Sequence, residues 1–519
     1  MIVLRPWVVT SVLLLAAGLG SACGKSGGGT GGGSGGGSGG AGGGTISDAD
    51  VNGSEVDSYY PKGGGFQAKP VDLSGTTIVA WSPLPDGGFG NFPGTGDVNG
   101  RFHIPAVPSG PYYLRVGSWL IYTTARVLQL GDELLGRANV RLADAGTGLS
   151  LTMTNLAPWT PDDDLQLVSW NAGIGYFSTA SQYGPITANA PNPNDTGLTG
   201  TQLDFGDVTF PLIEANQADD FTLAQLSGRT TDAGIRIQEA TRGFSSTTLA
   251  MTQGAYQPLS GAFTALDQTA ATIDLRFGDF TALANSVHPQ AVPGTGYFFL
   301  DLNPGPLTQR LSAGNPDLVA ATLPASTPNL VFPVSYGNPY SSKWTPYLYV
   351  SASFDLAYSI RLPDGGVSTP RTESASVIVA QAAGAGPIGP IAVQQSPARA
   401  LTIDGMNATG AALANVSTTP EISWTAPAIG VPTSYGLRIA QLTPSATGGT
   451  RRTFLFNLTL PGDLTRIRLP PGLLVPRADY FLRLTAYADP APFDPARPFK
   501  SSGFPYASAQ LLSSSFQTQ

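Results

Sequence analysis

The chain has 519 residues, enough for roughly three or four domains, with 27 basic against 35 acidic side chains and a formal net charge of −8. That balance gives a pI near 4.8 and excludes the basic face that nucleic-acid binding needs. Charged residues are 12% of the chain, half the usual share of about 25%, and the single cysteine allows no intrachain disulfide, so packing alone must hold the fold.

The N-terminus opens with one charge, Arg5, and an apolar run "VVTSVLLLAAGLG" over 8–20. Thirteen residues are too few to cross a hydrocarbon core of about 30 Å comfortably. Small residues Gly20, Ser21 and Ala22 then lead to Cys23, the order of a secretory signal over residues 1–22. Ending on cysteine resembles a bacterial lipoprotein signal, although Gly20 stands three places before the cysteine where that signal has Leu, and Leu19 stands one earlier. The resemblance implies cleavage before Cys23, acylation of its sulfur and new amine, and export to the outer membrane or cell surface with the membrane as partner. "CGKS" at 23–26 is not a phosphate-binding loop, because the glycine required five places before Gly24 is Leu19. Residues 24–45 are Gly, Ser and Thr almost throughout, and 23–45 reads as a lipidated cysteine on a disordered tether spanning roughly 25 Å root-mean-square.

From residue 46 onward, short runs alternate with Gly, Pro, Asn and Asp clusters. "TTIVAWS" (76–82), "RFHIPAV" (101–107), "YYLRVG" (112–117), "LSLTMTN" (149–155), "LQLVSW" (165–170), "ATIDLRF" (271–277), "GYFFLDL" (296–302), "YLYVSASF" (347–354) and "ASVIVAQ" (375–381) read as strands. "DELLGRA" (132–138) and "DDFTLAQL" (219–226) read as short helices, "NAPNPNDTGLTGT" (189–201) as a long loop, and 380–399 as a linker. The fold class is therefore all-β, several antiparallel β-sandwiches of Ig-like or prealbumin-like type in tandem after the tether.

"TGDVNGRFHIPAVPSGPYYLRV" (95–116) sets Asn99-Gly100 in a hairpin turn and alternates Tyr112, Leu114 and Val116 on one strand face, with Tyr113 and Arg115 on the other. With Asp97, Phe102, Ile104 and Gly110 it resembles a carboxypeptidase regulatory-like domain, which implies a prealbumin-type sandwich over 46–142 and no activity. "PEISWTAP" (420–427), "SYGLRIAQL" (434–442) and "LLVPRADYFLRLTAYA" (473–488) resemble a fibronectin type III domain over 399–519. The resemblance implies that Trp424 is the core tryptophan and Tyr480 the tyrosine corner. Residues 143–398 resemble no known family and have room for one or two sandwiches.

Candidates for chemistry are few. His103 and His288 are the only histidines, no G-x-S-x-G elbow is present, and zinc sites lack ligands. His103 reads as a surface strand residue beside Arg101 with no carboxylate near it, and His288 lies in a proline-flanked loop, "NSVHPQAVPG". Asp162, Asp163 and Asp164 lie together, as do Asp219 and Asp220, but turns usually leave such neighbours solvated. Calcium is the one metal considered: Asp48, Asp50 and Asn52 ahead of Gly53 begin an oxygen-ligand loop, although Tyr59 stands where the bidentate Glu belongs. Trp81, Trp119, Trp159, Trp170, Trp344 and the run "YGNPYSSKWTPYLY" (336–349) are candidates for stacking on sugar rings. No catalytic residue and no organic cofactor is expected. The expected function is a non-enzymatic surface lipoprotein that binds or scaffolds a polysaccharide or envelope protein. The alternative is a carbohydrate-active hydrolase in 143–398 flanked by accessory modules.

Overall fold

The computed structural model describes residues 50–178, 186–206, 210–304, 315–362, 365–383, 388–499 and 503–519. The signal, Cys23, the tether and Asp48 lie outside the described residues. The architecture is all-β, with pairing mostly antiparallel and four large apolar clusters among the described residues, one centred on each sandwich.

In the first sandwich, Val51–Tyr60 pairs antiparallel with Arg101–Ile104 and parallel with Val127–Leu130. The facing sheet runs Phe89–Pro93, Ile78–Pro83, Tyr112–Val116, Trp119–Thr123. Alternation fixes what they bury: Phe102, Ile104 and Leu128 meet Ile78, Tyr112, Leu114 and Val116. The turn at Asp97–Gly100 differs from the two-residue type expected. The Asp97 carboxylate accepts from the N–H groups of Asn99 (2.9 Å) and Arg101 (2.8 Å), and only Gly100 has positive φ, +75°. It is a type I turn closed by a left-handed glycine. A Cβ at Gly100 would sit 2.4 Å from the Glu55 carbonyl oxygen.

In the second sandwich, Gly148–Thr154 lies between Leu198–Asp204 and Tyr256–Ala262, facing a sheet of Ile174–Ser178, Asp164–Ser169, Phe221–Thr230 and Arg236–Ser246. In the third, Thr269–Leu275 pairs with Leu330–Tyr336 and Ile388–Ile391, facing Asp317–Leu323, Gly296–Asn303, Thr345–Tyr358 and Arg371–Ala382. Two short helices, Phe277–Thr281 and Ala284–Val287, plug its end with Phe277, Phe280 and Val287. In the fourth, Arg399–Ile403, Glu421–Thr425 and Arg466–Arg468 face Thr450–Pro461, Ser434–Pro444, Asp479–Ala488 and Tyr506–Leu512. Trp424 and Tyr480 are buried in that core, and the Tyr480 hydroxyl accepts from Val475 N–H at 2.9 Å, a tyrosine corner consistent with an Ig-like or fibronectin type III module.

Several local expectations are corrected. Glu133–Leu135 is a strand, parallel to Ser58–Tyr60, not a helix. Residues 219–226 enter the strand Phe221–Thr230, because Phe221 and Leu223 face the core and the buried Gln225 amide is spent on Ala157 and Asp163. Residues 380–399 are not a free linker: Arg371–Ala382 runs into them and Ile388–Ile391 pairs with Thr269–Leu275. The loop expected at 189–201 ends early, at the strand Leu198–Asp204.

The sandwiches are joined edge to edge as well as in sequence. Arg236–Glu239 pairs with Val319–Thr322, joining the second to the third. Val377–Ala380 pairs with Tyr506–Ala509, joining the third to the fourth. Asn457–Thr459 pairs in parallel with Trp119–Ile121, joining the fourth back to the first. The first meets the second through side chains and single backbone bonds: Arg137 reaches Glu214 and Asp219, the Trp170 indole donates to the Tyr60 carbonyl, and Arg137 N–H donates to the Asn171 carbonyl at 2.9 Å. The four sandwiches thus close into a ring.

Candidate binding site

The sequence candidates for catalysis are used structurally. Asp163 accepts from Thr160, from the Gln225 amide and from Gly228 N–H, and Asp162 pairs with Arg236. Asp164 is buried and takes the Ser178 hydroxyl. Asp219 is bonded by both arms of Arg137, and Asp220 pairs with Lys62.

His288 lies in the loop that follows Ala284–Val287, as expected, but its side chain is buried. Its Nδ1 accepts from Gln290 N–H at 3.0 Å, so Nε2 carries the proton and donates to Ser514 Oγ, also at 3.0 Å. Ser514 in turn donates to the Gly410 carbonyl at 2.6 Å. A general base needs its lone pair on the serine and a carboxylate behind it; this ring has the opposite tautomer. Burial pushes the His288 imidazole below its ordinary pKa.

The expected oxygen-ligand loop is strand where it is described. Asn52 and Gly53 pair with His103 and Phe102, and a Cβ at Gly53 would lie 2.2 Å from the Phe102 ring. That glycine serves close packing, not a sharp loop turn. The Asp50 carboxylate accepts from Ala106 N–H at 3.1 Å and lies 3.3 Å from His103 Nε2, so His103 does have an acidic neighbour. Among the described residues no group of three His, Cys, Asp or Glu side chains is placed to hold a metal.

Two seams concentrate charge. Arg137 is 5% exposed; burial works against its charge, but bonds to Asp219 and Glu214 outweigh this and raise its pKa. Glu214 feels the reverse: burial opposes ionisation, yet Arg141 and Arg137 hold it below the usual carboxylate range. Between the third and fourth sandwiches, Glu373 pairs with Arg371 and Arg452, and Arg483 donates to the Ser374 carbonyl at 2.8 Å. Burial, with Arg438 adding, brings the Arg483 guanidinium down to about 10.

The tryptophans divide. Trp159 lies in the second core, Trp81 packs on the fourth, and Trp119 lies tilted against Phe499, 4.1 Å between centroids, while donating to Glu55. Trp170 and Trp344 come together. They line a cleft of about 450 Å³ where the first three sandwiches meet, with Lys62, Asp220, Tyr340 and Lys343 around them. Trp344 stacks on Tyr340, 5.6 Å between centroids and 8° between planes, and meets Trp170 edge-on at 5.2 Å. Sequence reading picked out both tryptophans and the run holding Tyr340. It had no signal for Lys62, and it singled out Asp220 only as the neighbour of Asp219, with nothing to join it to Lys62, 158 positions away. A second cleft of about 710 Å³, between the first and fourth sandwiches, is open and proline-lined, with Pro432, Pro461, Pro490 and Pro492.

Neither a protein-family model nor a curated protein matches the sequence. Among solved structures, the FN1-FN3 domains of chicken CNTN1 are similar at 9% identity, covering 73% of this chain and 98% of that one, with a TM-score of 0.13. A Streptococcal ancillary pilin is similar at 11% identity, covering 63% and 95%, with a TM-score of 0.11. A tetra-tandem repeat from the extending region of a large adhesion protein is similar at 10% identity, covering 88% and 99%, with a TM-score of 0.10. Overlap at this level carries no argument about domain arrangement or activity.

Proposed function

We propose that this chain is an exported lipoprotein, acylated at Cys23 and held at the bacterial envelope on the outer membrane or cell surface. Its folded body acts as a non-enzymatic binding or scaffold unit for a polysaccharide or envelope protein. The observation that carries the reading is the ring: three seams of strand pairing turn four sandwiches into one rigid platform. Such a platform holds clefts between sandwiches in fixed geometry, which favours binding without ordering cost. The structural use of His288 and of the Asp162–Asp164 and Asp219–Asp220 acids supports a non-enzymatic role. The Asp97 hairpin and the Tyr480 corner support a carboxypeptidase regulatory-like module first and a fibronectin type III module last. A single acyl chain anchors weakly, so stable attachment takes two or more. Labelled palmitate should enter the parent chain and fail to enter Cys23→Ala, which should leave the membrane fraction; equal labelling and equal partition would overturn the anchor.

A further inference from the structure

The geometry points to the cleft at Trp170 and Trp344 as a saccharide site that prefers an acidic sugar; the inference rests on the binding reading above and names its ligand class. Three observations carry it.

The rings are held in place. Trp170 is half-buried and its Nε1 donates to the Tyr60 carbonyl at 2.7 Å, across the seam from the first sandwich. Trp344 is fixed between Trp170 and the parallel ring of Tyr340. The Tyr340 hydroxyl is tied to Gln166 Oε1 at 2.8 Å. Fixed aromatic edges and faces receive the C–H face of a pyranose with little loss of side-chain freedom.

Hydrogen-bonding capacity is left open where the rings meet. Trp344 is 8% exposed, and its Nε1–H is buried with no partner among the described residues. Asp220 is bonded to Lys62 through Oδ2, but its Oδ1 is buried and has no partner. Buried polar groups are normally satisfied, so each such group asks for an explanation. A fixed N–H donor and a fixed carboxylate acceptor on residues of one cleft wall are each a partner for a sugar hydroxyl, which both donates and accepts. The cleft volume of about 450 Å³ lies within the range of small-molecule sites and fits one or two sugar rings.

The charge is local and runs against the whole. The chain carries −8 and only five lysines, yet Lys62 and Lys343 both line this cleft. The carboxylates of Asp317 and Asp164 also act on Tyr340, but neither lines the cleft; of the charged residues that do, Lys62 is neutralised by Asp220, while Lys343 has no carboxylate partner among the described residues. The excess cation selects a carboxylate on the incoming ring.

The test uses the full-length chain with D-glucuronic acid and D-glucose as probes, read by saturation-transfer NMR and tryptophan fluorescence. Glucuronate should bind at least about fivefold tighter than glucose at low salt, and Lys343→Gln should remove that difference. Trp344→Phe, which keeps an aromatic ring but deletes the N–H and part of the indole, should weaken both sugars about five- to tenfold in a chain whose circular dichroism is unchanged. Equal binding of the two sugars would overturn the acidic preference, and binding that Trp344→Phe leaves untouched would overturn the site. No binding of either sugar, nor of their oligosaccharides, would overturn the whole inference. The lipoprotein reading would survive that result, since membrane partition of Cys23→Ala tests it separately.

Discussion

Two seams of the ring are built from different material. The first and fourth sandwiches meet through an apolar face. Tyr113, 2% exposed, joins Leu120, Trp81 and Tyr122 against the fourth core, and its hydroxyl donates to the Arg468 carbonyl at 2.7 Å. The first and second meet through charge: Arg137 bonds Asp219 and Glu214, and Lys62 bonds Asp220. Apolar burial is tolerant of small shifts, whereas a desolvated ion pair demands its partner in place. The polar seam also borders the cleft at Asp220 and Trp344, two of the side chains with a buried polar atom that has no partner among the described residues. The comparison assigns holding to one seam, and positioning of a ligand to the other.

The comparison can be broken at its strongest point first. Arg137→Ala removes the cation from a fully buried Asp219 side chain and leaves Glu214 dependent on Arg141. Removing one partner of a buried pair costs about 3–5 kcal/mol, so the urea midpoint should drop sharply; a change below about 1 kcal/mol would mean the polar seam is not tight. At the apolar seam, Tyr113→Ala should cost about 3–5 kcal/mol. Tyr113→Phe, which loses only the hydroxyl bond, should cost about 1 kcal/mol. A Phe variant as damaging as the Ala variant would show that this seam, too, is held by polar contact.

A third seam titrates. His288 of the third sandwich bonds Ser514 of the fourth, and burial holds its pKa below the ordinary value. The folded chain therefore prefers the neutral ring. The unfolded chain begins to take up a proton near pH 6.5, so this contribution is complete above that value and is lost as the pH falls below it. Between about pH 7.5 and about pH 5.5, His288→Gln should lose less stability than the parent. An equal loss would remove His288 from the seam's energetics.

Much of each sandwich is legible in the sequence, because a strand that buries one face must alternate; Tyr112, Leu114 and Val116 are an example. The same rule assigns Tyr113 to the far face, but only the folded chain shows that another sandwich covers it, 355 residues away at Arg468. Residues 219–226 misled because an apolar run bounded by acids fits either period, and a buried glutamine in a strand has no sequence signal. At the cleft the tryptophans could be singled out as rings. What pairs with them is set by the ring of sandwiches, not by local spacing, so Lys62 carried no mark and Asp220 stood out only beside Asp219. The run from Asp48 to Gly53 shows a related limit: its composition suits a ligand loop, but where it is described Gly53 is in a strand and answers to the ring of Phe102.

The central claim is that the sandwiches close into one body instead of forming a string. Small-angle X-ray scattering on the acyl-free Cys23→Ala chain tests it most directly. The closed ring predicts a folded body with a radius of gyration near the compact value of about 23 Å, slightly enlarged by the tether. A value above roughly 35 Å, with the long maximum dimension of modules laid end to end, would contradict it.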